Sequence, residues 1–301
     1  MKAAVQVLPS VTPAEKSWLG VYADLFKARL TGVVLLTAVV GFYMGCRGRV
    51  DGLVLLHTVL GTALVAAGGS ALNQFLEREY DARMRRTRER PLPSGRLLPG
   101  TALAVGSAAG ALGLVYLTLA VNALTGALGA VTLFTYVLVY TPLKRVTWLN
   151  TVIGAIPGAL PPVMGWVAAR GGLSWAGLVL FGIQALWQVP HFMAIAWIYR
   201  EEYARAGFKM LPVVDGDGRR TGRQAIGFAL ALLGASVLPF FLGLAGAIYL
   251  WGAAALGVVF AGLAIQFGRR RTVARARLLF YASILYLPLL LAVMVGDKIK
   301  P

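Results

Sequence analysis

Nine stretches of this chain lack any Asp, Glu, Lys or Arg, at residues 30–46, 52–75, 99–120, 123–141, 149–169, 173–199, 224–244, 247–267 and 278–296. A run of about 20 apolar residues is what an α-helix needs to cross a bilayer, and the shortest run here is still within the working range. Inside hydrocarbon every backbone N–H and C=O must be satisfied within the protein, so such runs become helices rather than loops or open strands. The mean hydropathy of +0.72 and a charged fraction of 14%, against about 25% for soluble domains, leave no alternative assignment for most of the 301 residues. The expectation is an all-α polytopic membrane protein: a cytoplasmic N-terminal segment over 1–29, an intramembrane domain over 30–296 and a short external tail over 297–301. The opening residues lack the basic, apolar, small-residue layout of a cleaved signal. Residues 14–29 read instead as an interfacial helix. A single cysteine, Cys46, precludes an intrachain disulfide and suggests no cysteine-based metal site.

Basic residues fix the expected orientation. Assigning the connections alternately to two sides puts 24 of the 29 Lys and Arg on the side of the N terminus. The other side holds only Arg47, Arg49, Arg170, Lys298 and Lys300. The positive-inside rule then places the N terminus in the cytoplasm of a bacterial or archaeal cell and the C terminus outside. The net charge of +17 is thereby explained by a membrane, with no nucleic-acid partner required.

Against this apolar background the segment NQFLEREYDARMRRTRERPLPSG, residues 73–95, carries six arginines and four acids. Asn73, Glu77 and Asp81 recur at a spacing of four, so on a helix leaving the membrane they line one face over two turns. Ionisable groups at a membrane edge are costly and are functional candidates by default. Oxygen ligands on one face suit Mg²⁺, which takes one or two carboxylates together with phosphate oxygens and water. The plainer alternative is a helix end whose acids pair with nearby arginines. Arg86 and Arg90, also four apart, can grip an anionic group bidentately. A diphosphate bridged through Mg²⁺ would give carboxylates and arginines a common purpose. Arg83, Arg85 and Arg88 are read as contacts to membrane lipid headgroups.

Four other places carry polar residues. The connection YTPLKRVTWLN is short and basic, and Lys144 and Asn150 lie on the same side of the membrane as the first cluster. The sixth span ends in WQVPHFMAIAWIYREEYARAGFKMLPVV, where His191 sits within an apolar helix and Glu201 and Glu202 follow at its cytoplasmic end. His57, deep in span two with no polar companions, reads as structural. Asp215 and Asp217, in DGDGRR, have too few following ligands for a calcium loop and read as solvated. Span five, IGAIPGALPPVMGW, concentrates Pro157, Pro161 and Pro162 with glycines that allow close helix approach, as the walls around a bulky apolar ligand require.

These stretches, taken together, resemble the protohaem IX farnesyltransferases (haem O synthases) of the UbiA-type intramembrane prenyltransferase superfamily. The resemblance runs from about Lys27 to Gln224. The first motif points only to the superfamily; the PHF, REEY and MLPVV elements point to the haem branch. It implies nine transmembrane helices around a central cavity, with polar caps after spans two and six. It also implies transfer of the farnesyl group of farnesyl diphosphate to a vinyl group of haem B, for terminal oxidase assembly. Asn73, Glu77 and Asp81 then match the diphosphate–Mg²⁺ motif, with Glu77 where the superfamily usually carries Asp. Arg86, Arg90 and Lys144 match its phosphate-binding cations, and His191 a histidine of the haem branch. Asn150, Glu201 and Glu202 would join the substrate-binding set. Haem A synthase or oxidase assembly factors are the implied protein partners.

Two other functions compete. A prenyltransferase acting on a quinone precursor or other aromatic acceptor would share the first motif, but such branches usually carry an aspartate-rich second one. A small-molecule transporter would place its binding residues at the midplane rather than at the cytoplasmic edge.

Overall fold

The computed structural model describes residues 17–299. The helices are α1 Trp18–Leu25, α2 Ala28–Gly45, α3 Gly52–Asp81, α4 Pro99–Ala120 and α5 Ala123–Phe134. A π-helical segment, Thr135–Tyr140, joins α5 to α6 Thr141–Val146. There follow α7 Asn150–Arg170, α8 Trp175–Ile198, α9 Arg200–Ala206, α10 Leu211–Val214, α11 Arg219–Phe241, α12 Ala247–Arg269 and α13 Val273–Gly296. Among the described residues nine helices are long and apolar enough to span a membrane. The fourth of these is α5, the π segment and α6 taken as one.

The spans lie where the apolar runs place them, but several extend past the runs into charged sequence. Thus α3 continues to Asp81, α11 begins at Arg219 and α13 at Val273, because arginine and glutamate are good helix formers once outside hydrocarbon. The same effect corrects the expected connection after span four. Lys144 and Arg145 stand in the last helical turn of α6, so Lys144 is carried by a helix rather than a loop. Within the stretch expected to form an interfacial helix, α1 is eight residues long, while residues 1–16 lie outside the described ones.

The hub is α7, with 67% of its span window buried against 28–44% for the other spans. Its proline-rich sequence is tolerated because neighbouring helices replace the contacts that a freed backbone carbonyl loses. Closest approach is made by glycine. A Cβ on Gly165 would collide with the carbonyl of Ala38, and one on Gly41 with the carbonyl of Pro162, so α2 and α7 meet backbone to backbone. An apolar cleft of about 500 Å³ opens between α2 and α13, lined by Leu36, Val40, Tyr43, Pro288 and Leu291 among others.

Two expectations for minor polar residues are corrected. His57 has a polar companion, since its Nδ1 lies 2.7 Å from the hydroxyl of Tyr116 on α4. Asp215 is buried rather than solvated, and its Oδ2 accepts from both the backbone N–H and the hydroxyl of Thr221. It thereby satisfies donors in the first turn of α11 that have no partner within the helix. Asp217 does face solvent and pairs with Arg219.

Candidate functional site

The end of α3 supplies three polar side chains on one buried face. Asn73, Glu77 and Asp81 are 1%, 5% and 1% exposed, so the spacing of four does bring them to a common, enclosed side. The π-helical segment faces them. Its wider turn, with hydrogen bonds from i+5 to i, is frequent at functional sites. Tyr136 and Tyr140 stack at 5.8 Å on this segment, and Lys144 follows one turn later.

Each acid of α3 meets its own cation. Lys144 Nζ lies 2.7 Å from Glu77 Oε1 and 4.5 Å from the centre of the Tyr140 ring. Arg90 Nη1 donates to Asp81 Oδ2 at 2.7 Å. The segment that carries Arg90 is irregular, spanning 82–98 with a turn at Gly95, whose φ is +74°. It is anchored at Met84, which is buried among Ala196, Ala206, Phe208 and Met210. The hydroxyl of Thr87 donates to the carbonyl of Asp81, tying the loop to the end of α3. These contacts put Arg90 back over the helix it follows.

One residue enters the cluster that its place in the sequence does not announce. Lys27 lies between α1 and α2 in the left-handed region, with φ 49° and ψ 51°, a conformation that costs a non-glycine residue about 1–3 kcal/mol. Its Nζ donates to Asn73 Oδ1 at 2.8 Å and to the Tyr136 hydroxyl at 3.2 Å. Asn73 Nδ2 in turn donates to the hydroxyl of Thr141. Burial, followed by the nearby charges of Arg90 and Lys144, pushes the Lys27 ammonium down to about 7. Glu77 and Asp81 pull it the other way with less effect. Read from the sequence, Lys27 is only one more lysine on the positive side of the membrane. Its backbone strain and its partners, 46 and 109 residues away, have no local signature.

The second polar region docks beside the first. Arg86 donates to the Tyr203 hydroxyl at 2.8 Å and stacks over that ring at 4.9 Å, so the first motif grips α9. Lys209 N–H donates to the carbonyl of Lys144 at 2.7 Å. Asn150 has its amide nitrogen committed to the carbonyls of Thr147 and Lys209, and its Oδ1 accepts from Thr151. It therefore fixes the corner between α6, α7 and the 207–210 turn. Glu201 is exposed. Glu202 is half-buried, and its Oε2 is enclosed without a hydrogen-bond partner. Both line a cleft of about 290 Å³ with Arg85, Arg200 and Arg205. His191 stands apart, on the seam between α8 and α13, with Nδ1 2.6 Å from Ser283 Oγ.

The UbiA prenyltransferase family model matches residues 34–291. The chain belongs to that family. It is an enzyme of prenyl transfer built into a membrane. Curated relatives include the protoheme IX farnesyltransferase of Solibacter usitatus, 48% identical over 92% of this chain and 98% of its own. That of Salinibacter ruber is 48% identical over the same shares, and that of Koribacter versatilis is 42% identical over 99% of each. Among solved structures, a digeranylgeranylglyceryl phosphate synthase matches with a TM-score of 0.79 at 19% identity, over 93% of this chain and 98% of its own. A UbiA homologue from Archaeoglobus fulgidus, bound to DMAPP and Mg²⁺, matches with a TM-score of 0.66 at 19% identity, over 91% and 98%. At that identity the likeness is one of fold.

For a UbiA-type prenyltransferase the question is whether the α3 carboxylates can take a divalent ion. The donor set is hard oxygen, as Mg²⁺ requires. Glu77 Oε1 is buried against the Lys144 ammonium at 2.7 Å. Glu77 and Asp81 lie one helical turn apart, and each is held by a single cation. Among the described residues no group of three or more His, Cys, Asp or Glu could hold a metal, and oxygens of substrate and water can complete the shell around the two acids. That is the usual condition of Mg²⁺ at a phosphate site.

Proposed function

We infer that this enzyme transfers the farnesyl group of farnesyl diphosphate to a vinyl group of haem B, forming haem O. The observation that carries the acceptor is 48% identity over 92% of the chain to proteins named for that reaction. The observation that supports the donor is the enclosed set of two acids and three cations at the end of α3.

Allylic diphosphates react when the charge of the departing diphosphate is neutralised. Glu77 and Asp81 would hold Mg²⁺, which supplies part of that neutralisation when bound. Lys144, Arg90 and Lys27 are placed to supply the rest, as preorganised donors in a site largely closed to water. Arg86 holds Tyr203 from the exposed side. Tyr140 and Tyr136 lie against Lys144 and Lys27, at 4.5 and 5.9 Å from the ring centres, and help to hold the two ammoniums at the site. The vinyl group attacks farnesyl C1, diphosphate leaves, and water adds to the resulting cation with loss of a proton. Haem O, passed on to a terminal oxidase, is the product. The distribution of Lys and Arg supports a cytoplasmic N terminus, with the α3 cluster at the cytoplasmic edge.

Incubating membranes that contain the enzyme with haem B, farnesyl diphosphate and Mg²⁺ tests this reading. The expected result is a haem of longer retention, heavier by one farnesyl group and one hydroxyl. Prenylation of an aromatic quinone precursor, with haem left unchanged, overturns it.

A further inference from the structure

The seam between α8 and α13 holds a group of side chains that the diphosphate cluster does not use. His191 is stacked on Trp187 with ring centres 4.9 Å apart, and Phe280 lies against it at 5.2 Å. Trp187 and His191, both on α8, converge on Ser283 of α13. Trp187 Nε1 donates to the Ser283 carbonyl at 2.8 Å, and His191 Nδ1 lies 2.6 Å from the Ser283 hydroxyl. Ser283 itself is fully buried.

The hydroxyl has one hydrogen, and its neighbours decide where that hydrogen goes. Ser283 Oγ lies 2.5 Å from the carbonyl oxygen of Phe280. A carbonyl can only accept, so at that distance the hydroxyl hydrogen must lie between the two oxygens. The hydroxyl then has only lone pairs to offer His191, and Nδ1 must carry a hydrogen to donate to it. In a neutral imidazole this leaves Nε2 with the lone pair. Among the described residues no hydrogen bond to Nε2 is present, so that lone pair is uncommitted. Its deep position in the apolar span, between two aromatic rings, keeps the ring from swivelling.

A histidine whose Nδ1–H is held by an oxygen while Nε2 is left bare is the arrangement that orients imidazole as a metal ligand. We propose that Ser283 is the positioning residue for the haem acceptor, fixing His191 in the Nδ1–H form so that Nε2 donates its electron pair to the haem iron. The proposal rests on the haem reading above. A bare Nε2 also accepts protons, so the haem titration below, rather than the tautomer, distinguishes iron ligation from proton transfer. Trp187 takes a supporting part, clamping both the ring and the Ser283 carbonyl.

The chain has two histidines, so the proton position can be read directly. In full-length protein carrying His57→Gln, ¹⁵N-labelled at histidine and free of haem, His191 gives the only imidazole signals. The expected spectrum is that of the Nδ1–H form, and adding Ser283→Ala should give a mixture of the two tautomers. A spectrum of the Nε2–H form in the presence of Ser283 overturns the proposal, independently of whether haem is the acceptor. The second measurement titrates ferric haem B into the otherwise wild-type protein and follows the Soret band. Ser283→Ala should weaken binding about 10- to 100-fold, the usual effect of losing a residue that orients a metal ligand, and Ser283→Thr should recover most of it. His191→Ala should remove the spectral signature of imidazole ligation. Equal affinity and an identical spectrum in wild type and Ser283→Ala overturn the proposal, even if haem is farnesylated.

Discussion

Lys144 Nζ lies 2.7 Å from Glu77 Oε1, an ion pair that joins the fourth span to the second through side chains only 14% and 6% exposed. Removing one member of such a pair leaves the other buried and uncompensated, which costs about 3–5 kcal/mol. Glu77→Gln and Lys144→Met are therefore each expected to lower the thermal unfolding temperature in detergent. The double variant should be less unstable than the sum of the two, because neither charge is then stranded. Turnover behaves differently. Each single variant should lose about 10²- to 10³-fold, the scale of losing one preorganised electrostatic group, and the double variant should recover none of it. Additive destabilisation would show that the pair is not coupled as its geometry requires.

Lys27 gives the site a stability that depends on pH. Its pKa is lowered from 10.5 to about 7 on folding, chiefly by burial. Between these values the unfolded chain holds a proton that the folded protein has lost, so stability rises with pH across that window. Below about pH 7 both states are protonated and the contribution is flat. The slope from this one group reaches at most about 1.4 kcal/mol per pH unit. Unfolding by denaturant at pH 7, 8 and 9 measures it, and Lys27→Met should flatten the rise. Identical slopes in wild type and Lys27→Met would show that Lys27 is not desolvated in the folded protein.

The spans were legible because hydrophobicity is a property of each residue and needs no partner. So was the shared face of Asn73, Glu77 and Asp81, since helical spacing alone dictates it. What escaped the sequence depends on contacts between distant residues. Lys144 looked like a loop residue because two charges ended the apolar run, yet the helix runs on through them. Asp215 looked solvated because the sequence around it is polar, and only the return of α11 buries it against Thr221. Lys27 joins the site through a left-handed backbone turn that no residue type there announces. The two arginines expected to act as one clamp divide their work, Arg90 on Asp81 and Arg86 on Tyr203.

Asp81 tests the metal requirement. Its Oδ2 is taken by Arg90 at 2.7 Å, and the other oxygen receives no hydrogen bond from the described residues. Asp81→Asn keeps the shape and removes the charge. It should lose turnover at every Mg²⁺ concentration while remaining inserted, since Arg90 is partly exposed and can be solvated. Wild-type turnover should vanish in EDTA and return when Mg²⁺ is added in excess. Full activity in chelator would remove the divalent ion from the reaction, and with it the reason for two acids at this place.

Gly165 and Gly182 make a paired test of how the bundle is held. At Gly165 an added Cβ would strike the carbonyl of Ala38 and approach the backbone nitrogen of Phe42. Backbone atoms in a helix cannot step aside, so α2 and α7 would have to separate and lose contact along their length. Gly165→Ala should therefore destabilise by at least the 1–3 kcal/mol typical of overpacking. It should also reduce turnover, because α2 follows directly on Lys27 and carries it. At Gly182, on α8, nothing lies within 4 Å of the added carbon. Gly182→Ala should leave turnover unchanged and raise stability by about 0.5–1 kcal/mol, the helix preference for alanine over glycine. Thermal unfolding of the two variants side by side measures the difference, and an unaffected Gly165→Ala would mean that α2 and α7 do not pack backbone to backbone.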